Sequence, residues 1–283
     1  MANEVATTQK QGIATYLSSE AVKQNVINVI GEKDTQRFIS SVVSAVQSNS
    51  ELAKCTNSSI LSAALIGHSL NLPQSPQLGM FFLVPYNNTK ANTKEAVFQL
   101  SYRGYLQLAM RSGQYSKIGV SDIREGELKS YNPITEEYVF EAETNFDSRE
   151  KLPIVGYYAY FVMTNGYKKE LYWSRDQMEA HAKKYSVSYR KGWSSSFWVS
   201  NFDDMAKKTM IRQLISKWGI MSTELETGYN NDMAVQDENG NPQYVDNVPD
   251  PPTPAEDPFA NEDVIDTVAS EVTDGAEESK MEG

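Results

Sequence analysis

The chain has 283 residues and carries 26 Lys/Arg against 37 Asp/Glu, a net charge of −11, and that length holds one large domain or two. A single cysteine, Cys55, excludes an intramolecular disulfide and a cysteine-rich zinc site, and two histidines leave little for other metal sites. No apolar run approaches the ~20 residues of a membrane helix, and the opening MANEVATTQKQ lacks the apolar centre of a signal peptide, so a soluble, intracellular protein is expected.

The net charge hides an asymmetry. From Thr223 to Gly283 there are 17 Asp/Glu and one lysine, Lys280, whereas the preceding 222 residues carry 25 Lys/Arg and 20 Asp/Glu, a net of +5. Residues 166–217 alone hold 11 basic and 5 acidic side chains. A mildly basic body with a strongly acidic tail points to a polyanion partner.

In chain order, residues 1–15 are polar and expected to be flexible. Val22, Val26, Val29 and Ile30 predict a first amphipathic helix ending near Gly31, and Phe38, Ile39, Val42, Val43 and Val46 a second. Ser58 is placed to cap a third, in which Leu61, Ala64, Leu65 and His68 share a face. Pro73 and Pro76 break that helix, and Met80–Val84 reads as a buried strand returning at Ala96–Ser101 after a turn-rich loop, a hairpin over 79–101. Tyr102–Gly113 reads as a helix, followed by strands at Lys117–Ile123, Glu137–Glu141 and Val155–Met163, the last pairing with Tyr167–Trp173 across Asn165-Gly166. Ser174 and Gln177 form a capping box that opens a helix to Tyr185. A looser stretch, 186–201, leads into FDDMAKKTMIRQLISKWG (202–219). There Met210, Ile211, Leu214, Ile215 and Trp218 form an apolar stripe, Asn201 is placed to cap, and Gly219 ends the helix. Lys208 and Arg212 lie one turn apart and point away from the stripe, whereas Lys207 falls inside the apolar arc.

Catalytic signatures are missing. There is no P-loop, dinucleotide glycine fingerprint or GxSxG elbow, and the acidic residues of the body are scattered over strands and turns. His68 and His181 sit on apolar faces, where a core histidine is the ordinary reading, and no nucleophile has a companion base.

Binding features are better represented. Arg103 and Arg111 are two turns apart on one helix face, with Tyr102 at its start and Tyr105 off both the core stripe and the arginine row. Lys183 and Lys184 end one helix, and Arg190 and Lys191 precede Trp193, Phe197 and Trp198. Cations interleaved with aromatics suit single strands, with charge for phosphates and flat rings for exposed bases. From these residues alone the alternative stays open that the rings are core plugs and the cations a solvated face.

The segments LNLPQSPQLGMFFLVPY, FQLSYRGYLQLAMRSGQY, YYAYFVMTNGYKKELYWS and FDDMAKKTMIRQLISKWG, in that order, resemble the RecT family of phage and prophage recombinases over about Leu61–Gly219. The resemblance implies an ATP-independent, non-catalytic protein that anneals single-stranded DNA, assembles into rings and helical filaments, and works beside a phage 5′→3′ exonuclease in the bacterial cytoplasm. No cofactor is implied, with Mg²⁺ at most a modulator of DNA binding and assembly. A host single-strand-binding protein is a further candidate partner, annealed duplex is the product, and no membrane is involved. The expected fold is α+β: N-terminal helices, then a small antiparallel sheet packed by helices including a long basic C-terminal one. Residues 16–222 would form the DNA-binding, annealing and oligomerisation domain, and 223–283 a disordered acidic tail that solubilises, screens the binding site or recruits a partner. In the expected mechanism Arg103 and Arg111 form one wall of a groove and Lys207, Lys208, Arg212 and Lys217 the other, gripping phosphates while bases splay outward. The rival functions are a metal-dependent DNA nuclease and a protective single-strand coat without pairing activity.

Overall fold

Apolar spacing sets the N-terminal layer: α1 (Ile13–Ser18), α2 (Glu20–Ile30) and α3 (Glu32–Gln47) pack through Leu17, Val26, Phe38 and Val42. The computed structural model describes residues 11–236 other than 76, 89–91, 133, 193 and 195, together with 242–244. The expected flexible start at 1–15 is therefore too long, because Ile13 already packs against the core and Leu17 is buried in it. Gly31, at φ +83, makes the corner between α2 and α3, a conformation that costs other residues a Cβ clash.

After a 3₁₀ turn at Leu52–Lys54, α4 (Asn57–Ser69) begins one residue past Thr56, so Ser58 lies inside the helix and does not cap it. Ser59 Oγ instead accepts the Ala96 amide, and the Thr56 amide donates to the Lys94 carbonyl, tying α4 to the hairpin of β1 (Phe81–Asn88) and β2 (Thr93–Leu100). That hairpin has the expected span, in register from Phe81↔Leu100 to Asn88↔Thr93. Next come α5 (Tyr102–Arg111), β3 (Tyr115–Arg124), β4 (Leu128–Asn132), β5 (Glu137–Phe140), α6 (Phe146–Lys151), β6 (Ile154–Met163) and β7 (Lys168–Ser174).

The expected single sheet is three separate antiparallel sheets among the described residues. One is β3-β6-β7, a second is the β4-β5 hairpin, and the third joins β1-β2 to two late strands. Tyr157, Ala159 and Phe161 of β6 face the core while Tyr158 faces outward beneath Tyr138 and Phe140 of β5, as period-two alternation requires.

The helical layer over the β3-β6-β7 sheet consists of α7 (Arg175–Tyr185), α8 (Val187–Arg190), α9 (Phe197–Ser200) and α10 (Phe202–Trp218). The Ser174/Gln177 capping box is present at the start of α7. Asn201 does not cap α10; its amide donates to Ser200 Oγ. Gly219 ends α10 in extended backbone, and the reason for glycine there is space, since a Cβ would lie 2.5 Å from Tyr115 Oη.

The body does not stop at 222. Ser222 caps α11 (Thr223–Asn231), whose Leu225 is fully buried, and β8 (Ala234–Gln236) adds to β2, with β9 (Pro242–Tyr244) pairing outside it. Among the described residues the compact unit thus continues past 222 through α11 and β8, so the expected boundary at 222/223 falls inside the fold. Residues 245–283, most of the expected disordered tail, lie outside the described residues.

Candidate nucleic-acid interface

The long helix α10 is enclosed by α5, by the strands of the β3-β6-β7 sheet and, through Asp232, by the chain that follows α11. Its cations consequently turn to different partners. Lys208 is 4% exposed, and its Nζ donates to Asp232 Oδ1 at 2.7 Å. Asp232 is 0% exposed and also accepts from the Leu100 amide at 3.0 Å, Tyr105 Oη at 2.9 Å and Arg212 Nη1 at 3.4 Å. Arg212 further lies over the Tyr229 ring, 4.3 Å from its centroid. A carboxylate taken out of water is tolerable only when its lone pairs are met this fully. Burial, with Asp232 beside it, pushes the Tyr105 hydroxyl well above its ordinary pKa, so it donates and stays neutral. Burial disfavours the charge on Arg212, but the Asp232 carboxylate beside it more than offsets that and the guanidinium is held protonated.

The expected groove walls are therefore corrected. Lys208, Arg212 and Tyr105 serve an internal network rather than an outer face. Lys207 lies on another side of α10, with Nζ 3.3 Å from Asp122 Oδ1 on β3; despite burial, Lys207 and Arg124 keep that carboxyl below its usual range. Arg111 caps the end of α4, donating to the Leu70 carbonyl at 2.9 Å and the Asn71 carbonyl at 3.3 Å, and pairs with Glu224 at 3.2 Å. Lys217 is exposed over the Trp218 ring at the far end of α10, which at 1.5 Å per residue is roughly 24 Å from Phe202. These side chains thus turn to separate partners: Lys208 and Arg212 to Asp232, Lys207 to Asp122, Arg111 to the end of α4 and Glu224.

A different surface remains. Lys183 and Lys184 are exposed at the end of α7, and Arg190 and Lys191 are exposed at the end of α8. Trp198 is a core plug, 6% exposed and packed edge-on against Phe202 at 5.4 Å, with Tyr189 and His181 also against it. Burial first, then Lys184 and Arg212, lowers His181 to a pKa of about 4, so it packs as neutral imidazole. Trp193 lies outside the described residues. Phe197 is 39% exposed at the start of α9 and lines a cavity of about 340 Å³.

Three rings wall that cavity: Phe82 of β1, Tyr102 at the head of α5, and Phe197. Arg103 is exposed at its rim, where its Nε donates to Tyr102 Oη at 3.3 Å. Gln99, Asp204 and the Lys208 stem also line it, the Lys208 ammonium being turned to Asp232. Arg103 is thus exposed and Tyr102, expected to face inward on its helix, is half-buried and lines the cavity, whereas Phe82, Gln99 and Asp204 escaped the sequence reading. Phe82 was hidden in a continuous apolar run; Phe81 and Leu83 face the core, and Phe82 between them is 42% exposed.

Among the described residues, no three His, Cys, Asp or Glu side chains are grouped to hold a metal ion, and no helix is long and apolar enough to cross a membrane. An α+β body with exposed basic helix ends and an aromatic cavity has the build of a nucleic-acid-binding protein. Residues 36–247 match the RecT family. The chain is 40% identical over 220 residues to the uncharacterized protein YqaK of Bacillus subtilis, covering 77% of this chain and 72% of that protein. It is 25% identical over 225 residues to protein RecT of Escherichia coli, covering 78% and 80% respectively. The chain belongs to the RecT family, and that membership supports a role in DNA recombination by single-strand annealing.

Proposed function

We propose that this protein binds single-stranded DNA by its phosphate backbone along the surface from Lys183, Lys184, Arg190 and Lys191 to Arg103, and pairs it with a complementary strand without ATP. The observation that carries the reading is the pairing of four exposed cations at the ends of α7 and α8 with a ring-lined cavity that has Arg103 at its rim. Phosphate contacts hold a strand without reading its sequence, which leaves base edges free to test a partner. Each protomer grips few nucleotides, so register and strength come from self-association along the strand into rings or filaments. Duplex product, Mg²⁺ as a modulator, a 5′→3′ exonuclease that exposes the strand, and a host single-strand-binding protein complete the cytoplasmic setting. Lys217 stands apart and would meet DNA only as a separate contact.

The test replaces Lys183, Lys184, Arg190 and Lys191 together with alanine. Each phosphate contact contributes a salt slope of about −0.7 on single strands, so the slope of log K against log salt should flatten by about 3. Affinity should fall alike on every sequence, and the pairing rate of complementary oligonucleotides with it. An unchanged slope removes this surface from the reading. The same pairing assay separates annealing from a protective coat, and release of nucleotides with Mg²⁺ would instead show a nuclease.

A further inference from the structure

The cavity between β1, α5 and the start of α10 has a chemistry that phosphate does not match. Its walls include Phe82, Tyr102 and Phe197, the first and last of them more than a third exposed. Its polar groups include the Asp204 carboxylate, which repels a phosphate and attracts N–H donors. Gln99 is 6% exposed, and its Nε2 donates to the sulfur of Met205 at 3.4 Å, a weak acceptor that an oxygen or ring nitrogen would displace favourably. The volume, about 340 Å³, is at the small end of the range for ligand sites. Flat apolar walls, an acceptor carboxylate and a buried amide are the complement of one nucleobase, and Arg103 at the rim is placed for the phosphate attached to it.

Resting on the single-strand reading above, we propose that this cavity takes one nucleobase per protomer, turned inward from the bound strand, and that Asp204 favours bases with an exocyclic amino group. Cytosine offers N4–H to a carboxylate, whereas thymine presents a carbonyl oxygen at that position. One inward base fixes the strand's register on each protomer, while the others stay outside to pair.

The experiment uses the full chain and measures the dissociation constants of dT30 and dC30 at pH 8, for wild type and for Asp204→Asn. Wild type should hold dC30 roughly tenfold more tightly, the worth of one hydrogen bond to a charged group. In Asp204→Asn the two affinities should converge, because the amide offers both a donor and an acceptor; Asp204 is exposed, and an unchanged melting temperature will show the variant is folded. Phe82→Ala with Phe197→Ala should weaken both oligonucleotides together. Equal wild-type affinities for dT30 and dC30 overturn the base pocket and leave backbone binding standing. A cytosine preference that survives Asp204→Asn overturns the role of the carboxylate. Failure of the wild type to bind either strand overturns the single-strand reading itself.

Discussion

Lys208 illustrates how a helix face read from one apolar stripe can mislead about exposure. On a helical wheel it stands 100° from Lys207, and an apolar stripe on one side of α10 sends Lys208 outward and Lys207 inward. In the fold α10 is enclosed on several sides, so direction from one stripe does not measure exposure; Lys208 is buried and Lys207 is the more accessible of the two. The partner that makes burial tolerable, Asp232, is 24 residues further on in an acid-rich stretch where one carboxylate looks like any other. Lys208→Ala should therefore cost about 3–5 kcal/mol in urea or guanidinium unfolding, because it leaves a buried carboxylate short of its closest cation. A variant as stable as the wild type would show that Lys208 is dispensable to the network. His181 gives a pH test. Its pKa is about 4 in the fold against about 6.5 when unfolded, so between those values the unfolded chain binds the additional proton. Stability from this group is thus complete above pH 6.5 and is lost as pH falls toward 4. The loss at pH 5 should be about 2 kcal/mol. A His181→Phe variant should lose correspondingly less between pH 7 and 5 in paired denaturation curves. Its place beside Tyr185 was legible as an apolar helix face; the other rings against it, Trp173 and Trp198, come from β7 and α9.

Among the elements, those with local punctuation were readable and those defined by distant partners were not. The β1-β2 hairpin, the β6-β7 turn at Asn165-Gly166 and the capping box of α7 each announce themselves within a few residues. Strand β4, LKSYN, has neither alternation nor an apolar run, and it exists because Tyr131 stacks on Tyr138 across the hairpin at 4.7 Å. Helix α11 escaped for a compositional reason. Glu224 and Glu226 were counted with the acidic tail, although acidic residues in a first turn favour a helix N-terminus and Ser222 caps it. Leu225 then anchors α11, and Gly228 lets it approach closely, since a Cβ there would meet Leu108 at 3.0 Å. Two truncations separate these views. A chain ending at 222 loses Leu225, Asp232 and β8 and should be insoluble or melt without a cooperative transition. A chain ending at 248 retains the compact unit and should melt within a few degrees of the full chain, as followed by circular dichroism. Equal melting of both would mean that α11 contributes nothing to the core.

At the scale of the whole molecule, the revised boundary changes the charge argument that first suggested a polyanion partner. Residues 1–248 carry 25 Lys/Arg and 26 Asp/Glu, a net of −1, and residues 249–283 carry 11 Asp/Glu and one lysine, a net of −10. Acidic groups once counted in the tail are bound to cations of the body, Asp232 to buried Lys208 and Arg212 and Glu224 to Arg111. The folded unit is therefore nearly neutral, and attraction to DNA must come from local arrangement, such as the exposed ends of α7 and α8, rather than from overall charge. A terminal segment of −10 joined to such a unit competes with phosphates wherever it can reach, and that competition weakens with salt because screening shortens its range to about 10 Å at 0.1 M. Removing residues 249–283 should accordingly tighten binding to a single-stranded oligonucleotide at low salt, with the two chains converging near 1 M, where the screening length is about 3 Å. The comparison is made between chains 1–248 and 1–283 by fluorescence anisotropy across a salt series. Identical affinities at every salt concentration would rule out screening by the segment and leave partner recruitment or solubility as its role.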